Sequence, residues 1–141
     1  MIYSIIYSQT ITILNKLRCE DNNTHRDIWY KTVLHNAAVY KNAVMSASGT
    51  SANINTYKII LIPFSDNYEE YIKWKSDESR GSKYTVSSGD YVIKGEVTET
   101  IDADNIVSTL QHYGENVCLV RHFSELYQRF GAHDQLKIEG V

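Results

Sequence analysis

Short segments in which polar and apolar residues alternate recur along this chain, and they limit its fold more than any other feature. Gln9–Asn15 and Ile28–His35 alternate in this way and are rich in β-branched residues, which is typical of strands with one buried face. Because the segments follow one another through short connections, they favour an antiparallel sheet over a parallel α/β layout. We therefore predict a mainly β fold, a small antiparallel β-barrel or sandwich. Its further strands are predicted over Tyr57–Phe64, Lys83–Val86, Tyr91–Val97, Val117–Phe123 and Leu136–Glu139.

One or two short helices are expected to accompany these strands. Asp102–Asn105 offers capping residues ahead of Ile106, and Gly114 is a typical helix stop, so a helix is predicted between them. Helical spacing of aromatic and apolar residues predicts a second helix over Tyr68–Lys75. With 141 residues and no separable linker, residues 1–141 are expected to form a single domain.

The connections between these elements are polar. Ser46–Asn53 is small, polar and uncharged, which favours a mobile loop, and Ser76–Ser82 is a second polar loop. Ser87–Asp90 has the composition of a turn. It is expected to join Lys83–Val86 and Tyr91–Val97 into a hairpin.

Charge and cysteine content exclude several classes of protein. A formal net charge of -3 lacks the dense basic field that non-specific nucleic-acid affinity requires, so DNA binding is not expected as the main task. Cys19 and Cys118 lie far apart and form no metal-ligand motif, so we expect free thiols and no bound metal. No signal peptide or membrane-spanning stretch is recognised, and the chain is expected to remain in a cytoplasm, without a membrane partner.

No catalytic motif is recognised. Cys118 and His122 share one face of a predicted strand, but they would lie about 13 Å apart at ~3.3 Å per residue. The adjacent Glu69 and Glu70 are interpreted as a solvated face. No glycine pattern that cradles phosphate is present, and no cofactor is expected. The sequence favours a structural or binding module over an enzyme, and the five histidines form no helical pair: His25, His35, His112, His122 and His133.

Tyrosine is unusually frequent, with 11 tyrosines against 3 phenylalanines and 2 tryptophans. Tyrosine can bury its ring while its hydroxyl stays hydrated, which suits a subunit with several partner-facing surfaces. The residues predicted to lie at interfaces are two aromatic residues and the two polar loops: Trp29, Tyr91, Ser48, Gly49, Arg80 and Gly81.

Several stretches resemble a family of small virion proteins encoded between the capsid and tail genes of temperate phages. The strongest stretch is Ser88–Val97, and Trp29–His35 is another. Thr12–Lys16, Val120-Arg121 and His133–Gly140 follow the family in the same order. Within that family, the chain is most similar to head–tail connector proteins of the head-completion or stopper type.

The resemblance implies a non-enzymatic protein of the virion neck, made in the bacterial host cytoplasm. Such a protein is a small β-barrel that assembles as a homo-oligomeric ring of six or twelve copies. It lies between the portal or adaptor and the tail terminator or tail tube. It completes the DNA-filled head and docks the tail, while DNA passes through the ring without specific binding.

Alternatives to this role remain open. A tail terminator or another tail-ring protein would share most of the composition. A small thiol hydrolase would use Cys19 or Cys118 with a histidine. A host-interaction domain would act as a monomer that binds a host partner.

Overall fold

The part of the chain that the structure describes forms a closed barrel of six antiparallel strands. A computed structural model describes residues 7–48, 51–126 and 134–141. The barrel order is β1-β2-β3-β6-β5-β4, so the predicted mainly β, antiparallel barrel is confirmed. The strands are β1 (Gln9–Leu17), β2 (Ile28–Ser48), β3 (Ser51–Pro63), β4 (Tyr91–Lys94), β5 (Val117–Leu126) and β6 (Gln135–Gly140).

Alternation along each strand fills the barrel with apolar side chains. On β1, Ile11 and Ile13 belong to the interior core, whereas Leu14 belongs to a second core outside the barrel. Because successive side chains of a strand point to opposite faces, both faces of β1 are buried. The interior core is formed by Ile11, Ile13, Ala37, Ile60, Ile62, Tyr84, Val86, Val92, Cys118, Val120, Leu136 and Ile138.

A helix covers the outer face of β1 and β4. The helix α2 (Ile106–Tyr113) packs with Leu14 and Ile93 in the second core. The Asp102 carboxylate accepts hydrogen bonds from the backbone N–H groups of Asp104 and Asn105 at 2.9 Å just before the helix. The helix ends at Gly114, so both of its predicted limits are confirmed.

The segment between β3 and β4 crosses the end of the barrel at which β3 finishes. It contains the short helix α1 (Tyr71–Trp74), which is shorter than the helix predicted over Tyr68–Lys75 and begins three residues later. Tyr84 and Val86 from this segment are buried among the interior side chains. This end of the barrel is therefore closed by side chains.

The predicted strand at Lys83–Val86 is absent, and so is its hairpin with the following strand. Only one isolated bridge, between Tyr84 and Tyr68, involves this segment, and β4 pairs with β1 and β5 instead. The Asn15 side-chain amide bonds both the carbonyl of Thr85 at 2.6 Å and its N–H at 3.2 Å. A side chain thus replaces the neighbouring strand that the hairpin would have supplied.

Two other predicted boundaries also differ. The prediction of a mobile loop over Ser46–Asn53 is wrong for the described residues of this segment. They belong to β2 and β3, in which Ser46 pairs with Asn53 and Ser48 pairs with Ser51. The predicted strand Tyr91–Val97 ends at Lys94, since Gly95 adopts φ +109 and leaves the extended conformation.

A buried carboxylate joins β1 to the turn before β4. Asp90 is 2% exposed, and its carboxylate accepts hydrogen bonds from Asn15 Nδ2 at 2.9 Å, Lys16 N at 3.0 Å and Ser87 N at 2.9 Å. Burial opposes the charged form more strongly than these donors favour it, and it raises the pKa of Asp90 to about 6.

Asp90 is expected to make the stability of the protein depend on pH. Between about pH 4 and pH 6 the folded carboxyl keeps a proton that the unfolded chain releases, so its contribution to stability falls as pH rises through that window. The loss amounts to about 3 kcal/mol, at ~1.36 kcal/mol per pKa unit. Urea unfolding of the wild type and Asp90→Asn at pH 4 to 7 measures it. Their difference in unfolding free energy should shrink with rising pH, and a constant difference would contradict the assignment.

Gly140 is expected to tolerate no side chain. A Cβ there would lie 2.1 Å from the Leu119 carbonyl oxygen and 2.6 Å from Cys118 Sγ, where β6 approaches β5. Because backbone cannot easily move away, Gly140→Ala should cost about 3 kcal/mol or more of unfolding free energy. Gly81→Ala is the matched control, since nothing lies within 4 Å of its Cβ position. Thermal unfolding distinguishes the two, and equal midpoints would refute the steric explanation.

Candidate functional site

A two-stranded ribbon extends beyond the barrel. β2 pairs with β1 only as far as Ala37, and β3 pairs with β6 only from Lys58 onward. Between these limits Asn42–Ser48 and Ser51–Tyr57 pair with each other, and we call these two segments the ribbon. At ~3.3 Å per residue, each arm is about 23 Å long.

The ribbon lacks the features that protect exposed strand edges. No charged residue and no proline occurs from Asn42 to Tyr57. Among the described residues, no third strand pairs with either arm. Charges and proline are the usual protection of such an edge, and a two-stranded ribbon alone is marginally stable. The ribbon is therefore suited to contact another protein surface.

Two of the residues predicted to lie at an interface come together on the outer face of the barrel. The rings of Trp29 and Tyr91 are 5.7 Å apart at 40°. Both side chains are half-buried against the second core, and Lys16 Nζ lies 5.9 Å from the Trp29 ring centre. Their packing stabilises the barrel wall, and only their exposed edges are available to a partner.

The other predicted interface residues lie in different parts of the molecule. Arg80 is held against α1, since its guanidinium donates to the carbonyls of Trp74 at 3.3 Å and Lys75 at 2.8 Å. Its neighbour Gly81 is exposed. Ser48 ends β2 at the far end of the ribbon, while Gly49 lies outside the described residues.

Hydrogen bonds join several tyrosine hydroxyls to other side chains of the described chain, and three of these bonds go to carboxylates. Tyr68 donates to Glu125 at 3.1 Å, Tyr71 to Asp21 at 2.7 Å and Tyr113 to Glu99 at 3.0 Å. Burial, together with the bond to Asp21, raises the pKa of Tyr71 to about 12. Much of the tyrosine excess therefore joins separate segments of the chain.

The interpretation of Glu69 as part of a solvated face is wrong. Glu69 is 5% exposed, and Lys83 Nζ lies 2.9 Å from its Oε1. Its backbone N–H donates to the Tyr84 carbonyl at 2.9 Å, which draws it under the segment that closes the barrel. The hydrogen bond to the Glu69 carboxylate has the largest effect on the pKa of the Lys83 ammonium group and raises it. The hydrogen bond to Asp77 raises it further. Glu70, its neighbour in sequence, is exposed as predicted.

The two cysteines lie in different environments. Cys118 is buried in the barrel interior, and burial raises the pKa of its thiol. His122 is exposed instead of sharing the face of Cys118, because the pairing register of β5 shifts between Val120 and His122. Cys19 is an exposed free thiol. Within the described ranges, no group of three His, Cys, Asp or Glu side chains could hold a metal ion.

One protein family matches this chain. Residues 6–141 match the model of a Family of unknown function (DUF6751). No curated protein and no solved structure is significantly similar to the chain. Among the helices of the described residues, none has the length and apolar character needed to cross a membrane.

Proposed function

Because the chain belongs to the DUF6751 family, whose function is unknown, we propose a role for it from its own residues. It is a non-enzymatic structural protein of a phage virion and forms a homo-oligomeric ring in the neck. The ring completes the head below the portal or adaptor and docks the tail terminator or tail tube. The resemblance of Ser88–Val97 and Trp29–His35 to head–tail connector proteins supports this location.

The ribbon is the observation that carries the proposal. In the part of the chain that the structure describes, its uncharged arms pair with each other and with no third strand, and a partner surface would satisfy the outward backbone groups and stabilise it. In a ring, each contact joins two different surfaces of neighbouring subunits. An extension on one side of a compact barrel is suited to that arrangement, since it reaches a neighbour without distorting the core.

The charge of the protein is compatible with the passage of DNA. With a formal net charge of -3, a ring of this chain would not hold the phosphate backbone through a general basic field. DNA would therefore pass through without a specific contact. The buried thiol of Cys118, whose pKa is raised, disfavours the alternative of a thiol hydrolase that uses this residue.

Charges placed on the ribbon are expected to prevent assembly without unfolding the barrel. The variant Ala43→Lys/Ala47→Lys places two lysines at positions on the same face of β2. Lysine on an exposed edge strand opposes pairing with a strand of another chain. We expect the wild type to form six- or twelve-subunit rings in native mass spectrometry and the variant to be monomeric with the same thermal midpoint. Val107→Lys/Gln111→Lys adds the same charge to exposed positions of α2 and should still assemble. A monomeric wild type, or assembly of the ribbon variant, would contradict this mode of assembly.

The location in the virion has a separate test. Negative-stain microscopy of virions that carry a gold-labelled copy should place the label at the junction of head and tail. Label on the capsid shell or the tail tip would refute the neck assignment. A label on the tail side of that junction, with the gene next to the tail-tube gene, would favour a tail terminator.

A further inference from the structure

Three lysines surround the end of the barrel opposite the closed one. Val39 and Lys41 on β2, Lys58 and Ile60 on β3, and Val92 and Lys94 on β4 line one pocket. In each pair the residues are two positions apart and thus share the inner face of their strand. The lysines Lys41, Lys58 and Lys94 therefore form the rim of the barrel interior, which we call the lysine mouth.

The floor of the lysine mouth is apolar. The pocket has a volume of about 190 Å³, and core side chains of the barrel lie beneath the rim. This volume is below the roughly 300–1,000 Å³ of pockets that hold drug-sized ligands, so the mouth suits a small molecule or one end of a larger one. The apolar floor is formed by Ile11, Val39, Ile60, Val92 and Cys118.

The ion pairs that the structure describes leave the positive charges of the mouth unpaired. Lys41 and Lys58 are direct cross-strand partners, an arrangement in which like charges destabilise a sheet. Lys58 Nζ donates to the carbonyls of Glu115 at 2.5 Å and Val117 at 2.6 Å. Among the described residues, none of the three lysines forms an ion pair, and Lys41 and Lys94 donate no side-chain hydrogen bond.

Glu115 does not supply the missing counter-charge. It contributes its backbone carbonyl to Lys58 and lines the mouth, but its carboxylate forms no ion pair with the rim. Within the described ranges, the three lysines above the apolar floor therefore have no anionic partner, although the net charge of the chain is negative.

We propose that the lysine mouth binds a small organic anion that has an apolar body and a carboxylate group. The apolar body lies on the floor, where it displaces water from core side chains. The carboxylate accepts charge-assisted hydrogen bonds from Lys41 and Lys94, while Lys58 stays anchored on its two carbonyls and adds a positive field. The proposal does not depend on the role in a virion.

The chemistry of rim and floor separates this ligand from simpler ones. An inorganic phosphate would satisfy the rim but leave the floor without apolar contact. A neutral alcohol would contact the floor but leave the lysines unpaired. Only a molecule with both parts uses both surfaces, and it also relieves the repulsion between Lys41 and Lys58.

Hexanoate, 1-hexanol and inorganic phosphate are the probes that test the proposal on the full chain. Isothermal titration and methyl NMR should show that hexanoate binds and shifts the methyl signals of Ile11, Ile60 and Val92. Hexanol and phosphate should each bind at least about tenfold more weakly, as expected for the loss of a charge-assisted bond or of apolar contact. Absence of hexanoate binding, or equal binding of hexanol, would overturn the proposal. Stronger binding of phosphate would overturn the ligand class.

Variants of the rim identify the binding groups. Lys94→Gln should weaken hexanoate binding about tenfold or more. Lys41→Gln should weaken it similarly and also raise the thermal midpoint of the ligand-free protein, because the cross-strand repulsion is removed. Lys73→Gln, at an exposed lysine of α1 away from the mouth, is the matched control and should leave binding unchanged. Equal loss in the control, or unchanged binding in both rim variants, would refute the site.

Discussion

Closure of the barrel depends on its shortest strand. β4 has only four residues, yet it pairs with both β1 and β5 and so joins the two halves of the sheet. A strand of four residues forms few backbone hydrogen bonds with its neighbours. The turn before β4 adds further hydrogen bonds to both of them. The backbone carbonyl of Asp90 accepts a hydrogen bond from Val120 N on β5 at 2.9 Å. Its carboxylate accepts hydrogen bonds from Asn15 and Lys16 on β1. One buried acid thus links both neighbours of the strand that completes the barrel.

This arrangement explains which elements the sequence predicts well. Each strand of the barrel overlaps a predicted strand, because these segments carry apolar residues at a spacing of two or, in β3, a continuous apolar run. β2 and β3 nevertheless extend beyond the predicted Ile28–His35 and Tyr57–Phe64. The strand predicted at Lys83–Val86 is wrong, although its residues are of the types that are common in strands. The partner of Thr85 is the side chain of Asn15, from a distant part of the chain. A local pattern reports burial, and it does not report whether a strand or a single side chain satisfies the backbone.

The candidate surfaces show a similar limit. The small, polar and uncharged composition of Ser46–Asn53 predicts a loop, whereas the backbone on both sides of residues 49–50 pairs as strands of the ribbon. Lys41, Lys58 and Lys94 each stand two residues from an interior apolar side chain, a signal present in the sequence. That signal has meaning only once the barrel is closed and brings three distant strands to one rim. Trp29 and Tyr91 stay predicted interface residues, and part of their surface packs against the second core within the protein.

The lysine mouth and the ribbon are physically connected. The ribbon begins at Asn42 and Tyr57, which are paired with each other and adjacent to the pair of Lys41 and Lys58. Repulsion at that pair acts on the base of the ribbon, where the two-stranded extension leaves the support of β6. An anion in the mouth would strengthen this base and hold the arms in one register. If the ribbon contacts a neighbouring subunit, anion binding and assembly must favour each other by the same free energy, because coupling between two sites is reciprocal.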